Sequence, residues 1–301
     1  MRYQVISTLK ERHQRVSLGR LCLLFGITRQ AYYYHYEYIE SLHYEQQLVV
    51  QEVLSIRHRH PRMGTRKLYA LLESFMLAHQ IKMGRDALFS LLAAHGLLVR
   101  RRRRRVSTSY SAHTLRKYPN LSKDRSVTGA NQLWVSDITY WQLGALYVYL
   151  SLITDAYSHK IVGYHLGESL ASLHSIKALE MALSSVEHPL VGLMHHSDRG
   201  IQYCSKRYIN MLEDHGILIS MTGPGSPLEN SLAERVNGII KGEYLSCYGV
   251  RNISEAQDLV QEVIRRYNEE RPHMSIGHMR PSQLHTINQK TENLWKPRSP
   301  V

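Results

Sequence analysis

The sequence predicts an α/β core built on a mixed sheet, preceded by small all-α units. Two observations carry this. Apolar residues repeat with helical spacing up to about residue 99 and with strand-like β-branched and aromatic runs from residue 132, and a basic, polar stretch separates the two regimes. At 301 residues the chain has room for one domain of about 150 residues and one or two smaller ones.

In the first regime, Ser17 is placed to cap a helix LGRLCLLF whose Leu18, Leu21, Cys22 and Phe25 follow 3.6-residue spacing. Gly26 breaks that helix, and Thr28 can cap a second one, RQAYYYHY. This outlines a helix-turn-helix over residues 1–58, a motif whose second helix enters the major groove with its early residues, here Arg29, Gln30 and Tyr33. A second unit over residues 59–99, helix-turn-helix or winged-helix-like, follows in HPRMGTRKLYALLESF and KMGRDALFSLLAAHGLLVRR. Leu68, Leu71 and Leu72, then Ala87, Leu88, Leu91 and Leu92, are expected to face a core. Gly96 closes the last helix, and Leu97 to Val99 turn extended. Arg66, Lys67 and Arg85 are the candidate DNA contacts of this unit.

The segment 100–126 opens with six consecutive arginines, Arg100, Arg101, Arg102, Arg103, Arg104 and Arg105, and continues with few large apolar residues; it reads as a linker that tracks a DNA backbone. The core is placed at residues 127–290 and a tail at 291–301. Within the core, residues 132–141 and 145–154 read as a hairpin around Gly144, and 160–166 as a third strand. A helix over 172–186, a short strand GLMHH, a polar turn at 197–200, a helix KRYINMLEDHG, a strand ILISM and two long helices complete it. The order β-β-β-α-β-α-β-α is that of the ribonuclease H-like fold, with a mixed five-stranded sheet.

Formal net charge is +13, which favours a polyanionic partner, because each Lys or Arg placed on a phosphate releases counterions. The three cysteines, Cys22, Cys204 and Cys247, are far apart with no C-x-x-C spacing, so neither a disulfide framework nor a zinc knuckle is expected, and all three read as reduced, buried thiols. No apolar run reaches the roughly 18 residues needed to cross a bilayer, and the N-terminus has no secretion signal, so a cytoplasmic, nucleoid-associated protein is expected.

Metal-dependent phosphodiester chemistry needs acids converging on a pair of ions about 4 Å apart. Asp137 lies in the middle of the first strand, in WVSDITYW, where an ionised group costs free energy unless a partner or a metal compensates it. Asp198 lies where the fourth strand ends, the side of an open α/β sheet on which ligands bind. Glu234 falls in a helix with a marked start: Ser226 as N-cap, Pro227 at the first position and Glu229 completing a capping box. On that helix Ala233, Val236, Ile240 and Tyr244 make an apolar stripe. Asn230, Glu234, Asn237 and Lys241 share a polar face, from which Glu234 looks toward the two aspartates.

Taken in order, WVSDIT, HHSDRGIQY, ENSLAERVNGIIKGEYL and YNEERPHMSIGHMRPSQL resemble the integrase core of the IS3 family of insertion-sequence transposases. The resemblance covers roughly residues 60–290, and thirty-five residues separate Asp198 from Glu234, as in the D-D-35-E pattern. It implies that Asp137, Asp198 and Glu234 are catalytic and hold two Mg²⁺ ions, with Mn²⁺ able to substitute. It further implies that the enzyme cleaves at the ends of an element and transfers the 3′-OH into DNA, acting on terminal inverted repeats and target duplex as a homo-oligomer. Lys241 matches a position where the family often has a basic residue, a substrate-phosphate contact, and Arg199 beside Asp198 is a further DNA contact. Asp155 aligns with an acid outside the catalytic set. His195 and His196 read as core residues, and Arg271 and His273 as ties between the last helix and the core. Two departures stand out: Glu229 replaces the family's usual Asp, and no heptad zipper is visible. A tyrosine recombinase is disfavoured by the ordered acids, and a regulatory DNA-binding protein using residues 1–118 alone is disfavoured by the presence of all three.

Overall fold

The computed structural model describes residues 2–99, 114–123, 125–144, 146–186, 191–223 and 227–287, so the arginine run Arg100 to Arg105 and the residue Ser226 fall outside the described residues. The chain divides into two compact units, residues 1–55 with 72–98, and residues 56–71 with 99–301.

The first unit is helical. Helix α1 (Arg2–Arg12) packs Ile6 onto Leu21 and Cys22 of α2 (Leu18–Leu24), with Leu9, Phe25, Ile27 and Tyr32 around them. The Ser17 hydroxyl accepts from the Arg20 N–H at 3.3 Å, Gly26 takes the left-handed turn at φ +66°, and Thr28 Oγ1 accepts from the Ala31 N–H at 3.0 Å. These are the expected caps and break. The following helix is longer than expected. Helix α3 (Arg29–Arg59) runs for 31 residues rather than two turns, because nothing between Arg29 and His60 is Gly or Pro. Helices α4 (Thr65–Ala78) and α5 (Arg85–Ala94) follow. Leu68, Leu72, Leu88, Leu91 and Leu92 are buried as expected, whereas Leu71 is half-buried and Ala87 exposed. Gly96 closes α5 at φ +65°, but residues 97–99 form no strand, so no wing is present among the described residues.

The second unit holds the sheet. Strands β1 (Leu133–Leu143), β2 (Leu146–Asp155) and β3 (Ile161–Gly167) form an antiparallel meander. Strands β4 (Met194–Ser197) and β5 (Leu218–Met221) add to β1 in parallel, giving the order β3-β2-β1-β4-β5. This is the five-stranded, ribonuclease H-like arrangement the sequence predicts. Helix α6 (Ser172–Ser184) crosses from β3 to β4, and α7 (Ile201–Cys204) and α8 (Lys206–Asp214) lead to β5. Together they cover one face, where Trp134, Ile153, Val162, Ile176, Leu179, Tyr208 and Leu212 form a core. Gly163 makes the contact possible: a β-carbon there would collide with the Ala178 carbonyl oxygen of α6.

The opposite face is covered by α9 (Ser231–Ile239) and α10 (Ile253–Glu269), through Trp141, Leu150, Leu152, Val236, Ile240, Val263 and Tyr267. Each such fully buried large side chain stabilises the fold by about 1.5–3 kcal/mol relative to exposure. The start of α9 departs from expectation. Residues Pro227–Asn230 form a 3₁₀ turn, and the α-helix begins only at Ser231. The Glu229 carboxylate accepts from the Gly223 N–H at 2.6 Å and from Asn120 Nδ2 at 2.7 Å, so it pins the preceding loop and the incoming segment; the expected cap partner Ser226 lies outside the described residues. Beyond α9 the chain widens into a π-helical turn, Ile240–Tyr244, and then a 3₁₀ turn, Leu245–Cys247. Cys22 and Cys204 are buried, as expected, but Cys247 on that last turn is exposed; all three are free thiols. Helix α11 (Pro281–Thr286) ends the described chain, and none of the described helices is long and apolar enough to cross a membrane.

Candidate active site

Strand register brings the two aspartates together. On β1, Asp137 lies opposite Leu152 of β2, while pairing with β4 ends one residue earlier, at Ser136 with Ser197. Asp198 is therefore the first residue past the carboxyl end of β4, as Asp137 is the first past the stretch of β1 that pairs with it. Both acids line one cleft of about 540 Å³, together with Ile138, Tyr140, Tyr149, Gly200 and Tyr203. Asp198 Oδ1 accepts from the Gly200 N–H at 2.9 Å, and a β-carbon on Gly200 would stand 3.0 Å from that same oxygen. Glycine keeps this turn tight and the carboxylate uncrowded.

Helix α9 runs its polar face along β1. Asn230 Nδ2 donates to the Ser136 carbonyl at 2.9 Å, Asn237 Nδ2 donates to Asp137 Oδ2 at 2.8 Å, and Lys241 Nζ stands 3.8 Å over the Tyr140 ring. The apolar stripe Ala233, Val236, Ile240 and Tyr244 is buried, as its spacing predicts. Glu234 lies between Asn230 and Asn237 in sequence, and it is exposed. Burial pushes the Asp137 carboxyl up to about 7; the Asn237 hydrogen bond opposes this, and the negative charges of Asp198 and Glu234 add to it. Two acids thus act on Asp137, yet among the described residues no group of three His, Cys, Asp or Glu side chains stands close enough together to hold a metal ion. Asp137 and Asp198 share the cleft; Glu234 is outside its lining.

The residues set aside as structural are buried and partnered. Asp155 Oδ2 accepts from the Asn131 N–H at 2.8 Å, while its Oδ1 accepts from the Ser158 N–H at 2.8 Å and hydroxyl at 2.6 Å, closing the β2–β3 turn. His195 Nε2 meets the Ser136 hydroxyl at 2.6 Å and the Tyr208 hydroxyl at 2.9 Å, and His196 Nδ1 meets the Ser220 hydroxyl at 2.8 Å. Burial lowers these imidazoles to about 3 and about 4, so both are neutral near pH 7. A partly open pocket of about 190 Å³, where Val127, Leu133 and Leu232 meet Lys123, Arg125 and Glu229, contains none of the three acids.

The π-helical turn after α9 is tied down by charge. Glu243 accepts from Arg271 Nε and Nη2, each at 2.9 Å, and from Lys67 Nζ at 3.3 Å; Arg271 Nη1 lies 2.9 Å from His273 Nε2. Burial alone would raise the Glu243 carboxyl, but Arg271 and Lys67 outweigh it and hold it below the usual range. Among the basic candidates, Arg29, Gln30 and Tyr33 are exposed at the start of α3, and Arg66 is exposed on α4. Lys67 is paired with Glu243, Arg85 pairs with Asp86 at 3.0 Å, Arg199 is half-buried beside Asp198, and Lys241 rests on Tyr140. Two site residues escaped sequence reasoning. Asn237 stood on the predicted polar face without a role, although its place one turn after Glu234 was a signal, and Tyr140 was read only as a strand former.

Two integrase core domain models match the chain, at residues 127–227 and 215–281. The chain is 34% identical over 266 residues to the insertion element IS600 uncharacterized 31 kDa protein of Shigella sonnei, an alignment covering 87% of this chain and 96% of that one. It is 30% identical to the putative transposase InsK for insertion sequence element IS150 of Escherichia coli (strain K12), covering 92% and 96%. It is also 30% identical to the transposase InsF for insertion sequence IS3fB of the same strain, covering 65% and 69%.

Proposed function

This chain belongs to the IS3 family of insertion-sequence transposases, polynucleotidyl transferases with an integrase core, and we propose that Asp137, Asp198 and Glu234 are its catalytic acids. The single observation that carries the assignment is the convergence of Asp137 and Asp198 on one cleft, with α9, the helix of Glu234, hydrogen-bonded to Asp137 through Asn237. The donor set fits a hard divalent cation: it is all carboxylate oxygen, and the Asp137 carboxyl, pushed up to about 7, is an anion that burial disfavours and that a cation would restore. Asp137 and Asp198, with Glu234 brought up to them from α9, would hold two Mg²⁺ ions, for which Mn²⁺ would substitute. When bound, such ions activate the attacking oxygen and stabilise the leaving oxygen of an in-line displacement.

The chain's own residues do the positioning. Asn237 fixes the orientation of the Asp137 carboxylate, leaving Oδ1 free of that bond, and the Gly200 N–H does the same for Asp198. Buried His195 braces β1 against α8 through Ser136 and Tyr208. With the cleft so preorganised, water attacks the phosphorus at an element end and displaces the 3′-oxygen, and the released 3′-OH then attacks a phosphorus of a second strand, displacing that strand's own 3′-oxygen as a hydroxyl. Arg199, Lys241 and the arginine run Arg100 to Arg105 would hold phosphates along this path, while Arg29, Gln30 and Tyr33, with Arg66 and Arg85, would face duplex at the terminal repeats. Target duplex and further copies of the chain are the other partners.

Asp198→Asn removes one ligand without adding bulk, so it is expected to abolish cleavage and strand transfer while end binding stays nearly intact. Retention of a tenth or more of the wild-type strand-transfer rate in Mg²⁺ would sink the assignment. Asp155→Asn is the control: it leaves the chemistry in place and lowers thermal stability, because its amide presents a donor to partners that already donate.

A further inference from the structure

Resting on the assignment of Asp137 and Asp198 as the acids facing the scissile phosphate, we propose that Tyr140, with Tyr149 opposite it, is a stacking platform for an unpaired nucleobase of the DNA strand at the cleft. Tyr140 is three residues beyond Asp137 on the same strand and lines the same cleft. Tyr149 is its cross-strand partner in the register and lines the cleft too. Among the described residues the β1 edge toward β4 has no strand partner beyond Ser136, so the cleft opens along this part of the strand.

The surroundings are apolar where a site of acids alone needs no apolar wall. Tyr140 is 42% exposed, and Leu170 and Ile201, which line the cleft with it, are 50% and 46% exposed. Large apolar side chains left wet beside two carboxylates mark a surface that a ligand covers. A phosphate or a sugar gains little from such walls, whereas the flat face of a base does. A base within duplex has both faces stacked on its neighbours, so the ring can receive only a base that has left the stack, at a frayed end or a single-stranded overhang.

The ring is held ready for this. Tyr147 packs against it edge-on, with centroids 5.9 Å apart, and Lys241 places its ammonium 3.8 Å from the ring centroid. Lys241 is not among the residues lining the cleft. A cation on the ring also adds positive potential where the phosphate of the stacked nucleotide passes.

The test uses the full chain, with calcium in place of magnesium so that DNA binds uncut, and two probes: a blunt duplex, and the same duplex carrying a short 3′ overhang of 5-iodouridine. Irradiation links iodouracil to an aromatic ring stacked on it, and the linked peptide is mapped by mass spectrometry. The expected link falls on Tyr140. Tyr140→Leu should remove it and weaken overhang binding roughly tenfold, the scale of one base–aromatic stack, with blunt-duplex binding unchanged. Tyr140→Trp, which retains an aromatic face, should restore both. Linking elsewhere, equal loss for the two probes, or no effect of Tyr140→Leu overturns the platform. Asp198→Asn separates the two readings: it should still link at Tyr140 although it cannot join strands, whereas a variant that joins strands normally sinks the catalytic assignment and leaves the linking result to stand alone.

Discussion

Burial and charge oppose each other at His60, and burial wins. Its Nδ1 lies 2.7 Å from the Tyr244 hydroxyl and its Nε2 lies 3.3 Å from Glu270, a carboxylate that would favour the charged ring. Desolvation still lowers the imidazole to about 4, so the contact with Glu270 is a neutral hydrogen bond at pH 7 rather than an ion pair. A lowered pKa in the folded state means that the unfolded chain binds the proton more readily. His60 therefore contributes stability that is present above about pH 6.5 and is lost as pH falls toward about 4. In urea titrations across that window, His60→Gln should lose less stability on acidification than wild type, by on the order of 2 kcal/mol. Parallel curves for the two proteins would show that His60 is not the group titrating.

At the scale of elements, the π-helical turn Ile240–Tyr244 matters because it connects the helix of Glu234 to the rest of the second unit. Its Glu243 is shared by Arg271 and Lys67, and Arg271 is almost completely buried. Removing Arg271 takes both short bonds from the largely buried Glu243 carboxylate and leaves it Lys67 alone, so Arg271→Ala is expected to cost about 3 kcal/mol. Arg271→Lys should recover only part of this, since a single ammonium cannot reproduce the two parallel bonds to Glu243. Denaturant midpoints of the three proteins decide it; a Lys variant as stable as wild type would mean that only charge is needed there. A smaller effect is expected at α10, where Asn252 Oδ1 accepts from the Glu255 N–H at 2.9 Å and Glu255 Oε2 accepts from the Arg251 N–H at 3.1 Å. Asn252→Ala should cost about 1 kcal/mol by the same measurement.

At the scale of the molecule, residues 56–71 belong with the sheet although the linker separates them from it in sequence. Arg59 and His60 meet Glu270, His60 meets Tyr244, and Lys67 meets Glu243. A fragment beginning at Val127 lacks all three side chains. It is expected to unfold at lower urea than a fragment that also carries residues 56–71, and equal midpoints would show these contacts to be idle. The six arginines of the linker are tested by salt. Replacing them with Ser should weaken binding to element ends and to random duplex by similar factors, and should flatten log affinity against log salt by about 0.9 for each phosphate that is no longer neutralised. An unchanged slope would leave the run a solvated tail.

What the sequence determined by itself is what local chemistry encodes. Strand alternation, the caps at Ser17 and Thr28, the break at Gly26 and the spacing of Ala233, Val236, Ile240 and Tyr244 act within a few residues, so they can be read without knowing the fold, and they placed Asp137 inside the first strand and Asp198 at the end of the fourth. Tertiary structure decided the partners. Asn237 finds Asp137 from 100 positions away, and Lys67 finds Glu243 from 176. No periodicity encodes such pairings, because the free energy that selects them, desolvation set against a hydrogen bond or an opposite charge, exists only once burial has brought the two groups together. The partners of Glu229 have the same origin: the folded chain brings it Gly223 and Asn120, the second from 109 positions away.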